Sequence, residues 1–472
     1  MELFEMTAGE AVEAIKGKKI KARELTEAIL ARSGEIDDGI KAFATVTAEK
    51  ALEQADAVDR DISGQGDPLS LAGLPIVLGD DICLEGVPAA AGSRVIASFP
   101  APYTATVVQK SLEAGAVVIG KASMTEFGMG STGGESLHPH SRNPLNTSYS
   151  AGDGSAAAVA SGQAMLGLTS DSGGSARISA SYCGIAGFRP TPGSISRYGL
   201  ISSASSMSQI SFVARKAADF KLLFDPLFGF DPRDSSTVFA DEQIPGEEGT
   251  VTRIGFPGQL FDGAGEPEQA SFRRIFDGIV SRGVEVVEVS LPHFAPALLA
   301  YHVITIAESF SNLSRYDGIR YGFNADSGDL EEWYRQTRDR GIGEEAKRRF
   351  ILGAFLLGRD NHEKYYEQAL RVWTLVKKDF TEALHGCDLI LLPVVRSAAP
   401  LLNEKKPFIE NYCREEFCAP VSMAGMPSVS IPARAIGGMP QGIQLVGKSA
   451  ADCLLIDFAA DLEKEIGSWK EN

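Results

Sequence analysis

The strongest constraint on this chain is an alternation. Short runs that are apolar almost throughout, Leu74–Leu78 (LPIVL), Ala116–Ala122 (AVVIGKA), Ala164–Leu168 (AMLGL) and Asp388–Val394 (DLILLPV), follow stretches with helical periodicity. A strand buried on both faces reads as such a continuous run, and strands that alternate with helices define an α/β fold. Residues 7–33 predict a helix or helix pair, with Ala11, Val12, Ile15, Ile20, Leu25, Ile29 and Leu30 near helical spacing. Residues 41–60 and 104–115 predict two more helices. An Ala-rich helix enters at 155 and runs into a strand by 168. Strands at 253–257 and 283–290 flank a helix near 267–281, and 427–433 pairs with 442–447 as a hairpin. Residues 1–472 read as one domain, within which the mostly helical 295–375 is the one candidate insert or subdomain.

Composition narrows the functions. With 472 residues, 44% of them apolar and 23% charged, the chain is of globular type. Its net charge of −17 repels phosphate backbones and anionic lipid, so direct nucleic-acid and membrane binding are not expected. The six cysteines are irregularly spaced with no CxxC, which predicts reduced thiols and a cytoplasmic protein. The first thirty residues are acidic and lack the apolar core of a secretory signal. No apolar run approaches the ~20 residues of a membrane span.

Chemistry concentrates between 149 and 197. The run Thr169-Ser170-Asp171-Ser172-Gly173-Gly174-Ser175 follows a strand. Two glycines ahead of a serine can turn the backbone sharply and aim successive N–H groups at one point. That would hold an oxyanion while Ser175 Oγ attacks a carbonyl. A plain turn fits the same spacing. Gly152 to Ala157 matches GxGxxA, with Asp171 about twenty residues on. The preceding NPLNTSYS is turn-forming, however, so the strand that a dinucleotide fold needs is missing. His138 and His140 lie in a Pro-containing loop and do not form a metal pattern. No cofactor and no metal are expected.

Taken together, several motifs resemble the amidase signature family, in the branch of the amidotransferase A subunits. They are Ser172 to Arg177 (SGGSAR), Ser155 to Val159, Cys183-Gly184, and Ser196 to Leu200 (SRYGL). Others are Gly120-Lys121, Glu126 to Ser131 (EFGMGS), Glu345 to Arg349 (EAKRR), Pro420 to Pro427 (PVSMAGMP) and Gly442 to Lys448 (GIQLVGK). The resemblance runs from about residue 5 to 465. It implies one α/β/α domain with a large mixed sheet covered by helices on both faces. It implies hydrolysis of a carboxamide by a serine–serine–lysine triad. Ser175 takes the nucleophile's place, and Ser172, Gly173 and Gly174 supply the oxyanion N–H groups. Arg349 would hold a glutamine α-carboxylate and Glu415 its α-amino group, with Gly130 and Ser131 also at the substrate.

Two positions depart from the family's pattern. Its lysine falls on Gly79, in GLPIVLGDDI, and its bridging serine falls on Ala151, in YSAGDGSAAA; Ser150 is one residue off. A serine hydroxyl without an adjacent base is a weak nucleophile. The chain is therefore expected to be a noncatalytic or severely impaired ligand-binding or scaffold protein, with a place in an amidotransferase-like complex. The alternative is an active amidase or glutaminase in which Asp80, Asp81 or Asp153 replaces the base. Lys121, the one lysine in these loops, is read as structural. The family's cis peptide before the bridging serine is expected to be trans at Ser150–Ala151. Expected partners are a small carboxamide or amino acid, B- and C-like amidotransferase subunits, or a second copy of the chain.

Overall fold

The computed structural model describes residues 2–63, 69–97, 99–129, 136–237, 249–261, 266–402 and 408–467. The strands are Phe43–Val46 (β1), Pro75–Gly79 (β2), Val117–Ala122 (β3), Arg142–Asn143 (β4), Asn146–Ser150 (β5), Leu166–Asp171 (β6) and Ala186–Arg189 (β7). They continue with Gln209–Ala214 (β8), Arg253–Phe256 (β9), Glu285–Glu288 (β10), Leu389–Pro393 (β11), Ser428–Ile436 (β12) and Met439–Gly447 (β13). Eleven form one mixed sheet in the order β1-β3-β2-β6-β8-β7-β12-β13-β11-β9-β10, and β4 and β5 form a separate hairpin.

The apolar runs occupy the places their composition dictates. β2, β3 and β6 lie side by side and parallel, with Leu78 opposite both Lys121 and Leu168. Helices cover both faces of the sheet. On one face Ile15, Leu25, Ile29 and Val108 pack on Ile76, Leu78, Leu166 and Phe212. On the other the packing is of small residues: Ala156, Ala157, Ala176 and Ala180 lie against Val77, Ala122 and Val213. Alanine lets the helices Gly154–Ala160 and Ser175–Cys183 sit close to the strands whose ends they carry. A further core joins the helices Phe294–Leu313 and Gln368–His385 to Ile390, Leu392 and Val446 of the sheet.

Four local expectations need correction. Residues 41–60 are not one helix; β1 comes first, and the helix is Ala48–Ser63. β7 and β8 have no counterpart among the expected strands, because AGFR and QISFVA are short and lie among glycines and serines. Asn146–Ser150 is a strand rather than a turn, but it pairs with β4 outside the main sheet. The dinucleotide arrangement, a sheet strand leading into Gly152 to Ala157, is therefore absent. Finally, Phe294–Leu313 is long and apolar enough to cross a membrane, although His302 and Glu308 interrupt its apolar run; 56% of its most apolar window is buried inside the fold.

Candidate active site

Parallel pairing puts the C-terminal ends of β2 and β6 next to each other, and the candidate site is built on those ends. β6 stops at Asp171, the chain turns through Ser172, Gly173 and Gly174, and a helix starts at Ser175. The turn needs both glycines. Gly174 has φ +117°, and an added Cβ would stand 2.2 Å from Cys418 Cβ. A Cβ on Gly173 would stand 2.4 Å from the Tyr301 hydroxyl. Beneath the turn, the carboxylate of Asp171 is buried between Arg177 at 3.3 Å and Arg189 at 3.2 Å. Burial alone would raise its pKa, but the two guanidinium groups hold it below the usual carboxylate value. Asp171 is thus a fixed anion that braces the turn.

Ser172 and Gly173 border a small cavity, together with Ser175. The third expected oxyanion donor, the Gly174 N–H, instead donates to Asp171 Oδ1 at 2.7 Å. Ser175 Oγ donates to the main-chain oxygen of Ser170 at 2.7 Å, so its proton faces a carbonyl and not a base. Gly79 ends β2 with no side chain, and its φ lies outside the left-handed region. Ala151 is fully buried in the alanine core and does not border the cavity. The Ser150–Ala151 peptide is trans.

The three candidate substitute carboxylates separate by their partners. Asp80 accepts from the Gly92 N–H at 2.9 Å. Asp153 caps a helix, accepting from the Ser155 N–H at 2.7 Å. Asp81 alone of the three borders the cavity. It is 3% exposed, its Oδ1 has no hydrogen-bond partner, and the Ser170 side chain bonds its carboxyl. A Cβ added to Gly79 would lie 2.7 Å from that same Oδ1, so Asp81 occupies the space beside Gly79. Burial lifts Asp81 to about 6, against the pull of Ser170 and Lys121. Lys121 lies on the neighbouring strand β3, fully buried, with its Nζ unpartnered. Burial lowers its pKa, opposed by Asp80 and Asp81. It does not reach the cavity.

At the far wall stand Glu415 and Tyr301, the latter from the apolar helix Phe294–Leu313. Sequence reasoning misses Tyr301: it lies far from every motif, and an aromatic residue on an apolar helix carries no mark of function. Burial raises Glu415 to about 7, with Arg349 pulling the other way. His302 Nε2 is 3.7 Å from Glu415 Oε2, but burial drops this imidazole to about 4, so it stays neutral. Arg349 is 8% exposed and tied to its own helix, donating from Nε to Glu345 Oε1 at 3.0 Å. Its guanidinium lies 5.4 Å from the centre of the Tyr412 ring. Arg349 is not among the residues that line the cavity. Gly130 and Ser131 lie outside the described residues. The free space between these walls is about 20 Å³, room for about one water molecule. No group of three His, Cys, Asp or Glu residues placed to hold a metal ion occurs among the described residues.

A strand-end serine behind a double-glycine turn, on a mixed sheet covered on both faces, defines a class. The chain belongs to the amidase family, whose profile matches residues 24–456. Within that family it is similar to the A subunits of glutamyl-tRNA(Gln) amidotransferases. It is 39% identical to the one from Desulforudis audaxviator, covering 97% of this chain and 95% of the relative. It is 40% identical to the one from Moorella thermoacetica, covering 98% and 97%. The crystal structure of the Thermotoga maritima counterpart superposes with a TM-score of 0.79 at 27% identity, over 98% of this chain and 95% of that one.

Proposed function

We propose that this protein is an amidase-family ligand-binding subunit that does not hydrolyse carboxamides by a lysine–serine relay. In this reading it serves in an amidotransferase-like complex with B- and C-like subunits. The observation that carries the reading is the pairing of Ser175. Its hydroxyl donates to the Ser170 carbonyl, while the lysine position is an empty glycine and the bridging position a buried methyl. A base and a relay that act as one unit are both missing. Oxyanion donors alone would leave a residual rate about 10³–10⁴-fold over water.

The ligand in this reading is a small amino acid or carboxamide, with its carboxylate toward Arg349 and its amino group toward Glu415. A 20 Å³ cavity admits glutamine only when its walls part, so binding is weak. Calorimetry is expected to give a dissociation constant in the millimolar range for glutamine or glutamate, and Arg349→Ala is expected to abolish it. An absence of heat with both ligands would remove the amino-acid site.

One observation favours a second reading. Asp81 borders the same cavity as Ser175, and a carboxyl with a pKa of about 6 is suited to accept a proton near neutral pH. Ammonia release that is lost in both Ser175→Ala and Asp81→Asn would establish a carboxylate-assisted hydrolase in place of the first reading.

A further inference from the structure

A second cavity, of about 570 Å³, shares Ser208 with the small one and no other lining residue. That volume lies in the range of about 300–1,000 Å³ that holds small organic ligands. Its walls come from the loops that flank β7 and β8, the helix Gln368–His385 and the end of the helix Ala419–Ala424. Trp373 forms an apolar part of the lining with Leu370, Met207 and Met423, and its indole N–H is anchored on the Met423 carbonyl. A ring fixed in this way offers an aromatic body a surface to pack on.

The charged lining is one-sided. Arg189, Arg197 and Lys377 border the cavity and no carboxylate does, in a chain whose net charge is −17. Carboxylates that touch the lining residues set how much positive charge is left over. Asp171 faces Arg189 and also Arg177. Asp234 lies 3.6 Å from Arg197. Glu308 accepts from the Ser206 N–H at 3.0 Å. Four cations thus meet three carboxylates, which leaves one positive charge in surplus. Arg189 is 1% exposed, shares its carboxylate with Arg177, and makes no hydrogen bond from Nε among the described residues. Burial pulls its pKa down to about 10, and Asp171 offsets this only in part. A buried cation short of counter-charge is costly, and a nearby anion relieves that cost. One surplus charge matches a monoanion better than a polyphosphate.

We propose that this cavity binds a small aromatic monocarboxylate, with its ring against Trp373 and its carboxylate toward Lys377. The two residues are four apart in one helix, and side chains at that spacing are neighbours on one face. A carboxylate one or two carbons from a ring therefore meets both. Ser205 and Ser206 add hydroxyl groups to the same lining. Arg189 and Arg197 act as fixed positive charge: Arg197 already donates to the main-chain oxygen of Ser205 and to Ser236 Oγ. The inference does not depend on whether Ser175 hydrolyses anything. The two cavities are joined at Ser208, whose hydroxyl lies 2.7 Å from that of Ser172, but the residues named for this ligand are not those of the amino-acid site.

The test is calorimetry on the full chain with 3-phenylpropionate and indole-3-acetate. Two controls accompany them: 3-phenylpropionamide keeps a ring and lacks the charge, and propionate keeps the charge and lacks the ring. Both aryl carboxylates are expected to bind, and both controls to bind at least about tenfold more weakly. Lys377→Glu changes an exposed residue and is expected to weaken the aryl carboxylates at least about tenfold. Trp373→Leu is expected to weaken them as well; should it fail to fold, Lys377→Glu still decides. Excess glutamine is expected to displace neither. Binding that is lost in Lys377→Glu and persists in excess glutamine would uphold the proposal, whether or not glutamine itself binds. An absence of heat with both aryl carboxylates, equal affinity for the amide, unchanged affinity in Lys377→Glu, or displacement by glutamine would each overturn it. None of these outcomes bears on ammonia release, which tests the reading of Ser175 separately.

Discussion

The triple variant Gly79→Lys, Ala151→Ser, Asp81→Asn is expected to release ammonia from glutamine at least about 100-fold faster than the wild type. A positioned base contributes roughly 10²–10⁴-fold, which sets the scale. The backbone permits the lysine, since Gly79 is not in the left-handed region. The nearest obstacle to its Cβ is Asp81 Oδ1 at 2.7 Å, the far end of a side chain that can rotate. The same atom predicts that the double variant, with Asp81 kept, is the poorer enzyme. A carboxylate in contact with the new ammonium raises the lysine pKa and keeps it protonated, and a protonated lysine accepts nothing. The double variant should therefore gain activity only as pH rises, and the triple variant at lower pH. Gly79→Lys or Ala151→Ser alone should do little, because base and relay work together. A folded triple variant without activity at any pH would contradict the proposal that Gly79 and Ala151 govern the activity.

Glu415→Gln is expected to stabilise the protein at alkaline pH and to leave it unchanged at acidic pH. In the fold, burial raises Glu415 from an ordinary value of 4.5 to about 7. A carboxyl whose folded pKa lies above its unfolded one folds best when protonated. Below about pH 4.5 it is neutral in both states and contributes no difference. Between about 4.5 and 7 the unfolded chain ionises first, and stability falls as pH rises. Above about 7 the full penalty is present. A displacement of this size corresponds to about 3 kcal/mol. Glutamine carries no charge to bury, so the gap between variant and wild type should open across that window. Urea melts at pH 4.5 and pH 8 measure it, and an equal effect at both values would show that burial does not raise the Glu415 carboxyl.

What is legible in the sequence follows from local physics. β2, β3 and β6 announce themselves because both of their faces are buried, so nearly every residue is apolar or small. Gly79 and Ala151 draw notice in the sequence because each sits inside a short segment that resembles the family's pattern. The role of Asp81 is not: its carboxyl reaches the cavity only because β2 ends beside β6 and Gly79 leaves room. The brace formed by Arg177, Asp171 and Arg189 is hidden as well. Asp171 and Arg177 share a turn, but Arg189 comes from a strand too short to read, and only the sheet brings the three together. The N–H of Gly174 can be assigned to an oxyanion from sequence, yet that same buried carboxylate claims it. Arg349 reads as a ligand-facing fork, and in the structure its Nε donates to Glu345 Oε1 from a position outside the cavity's lining.

The most direct measurement is ammonia release from glutamine, asparagine and simple amides by the wild-type protein, with Ser175→Ala alongside. The pairing of Ser175 with the Ser170 carbonyl, together with glycine at 79 and alanine at 151, predicts release at the level of the Ser175→Ala variant. Robust release by the wild type that disappears in Ser175→Ala would contradict it.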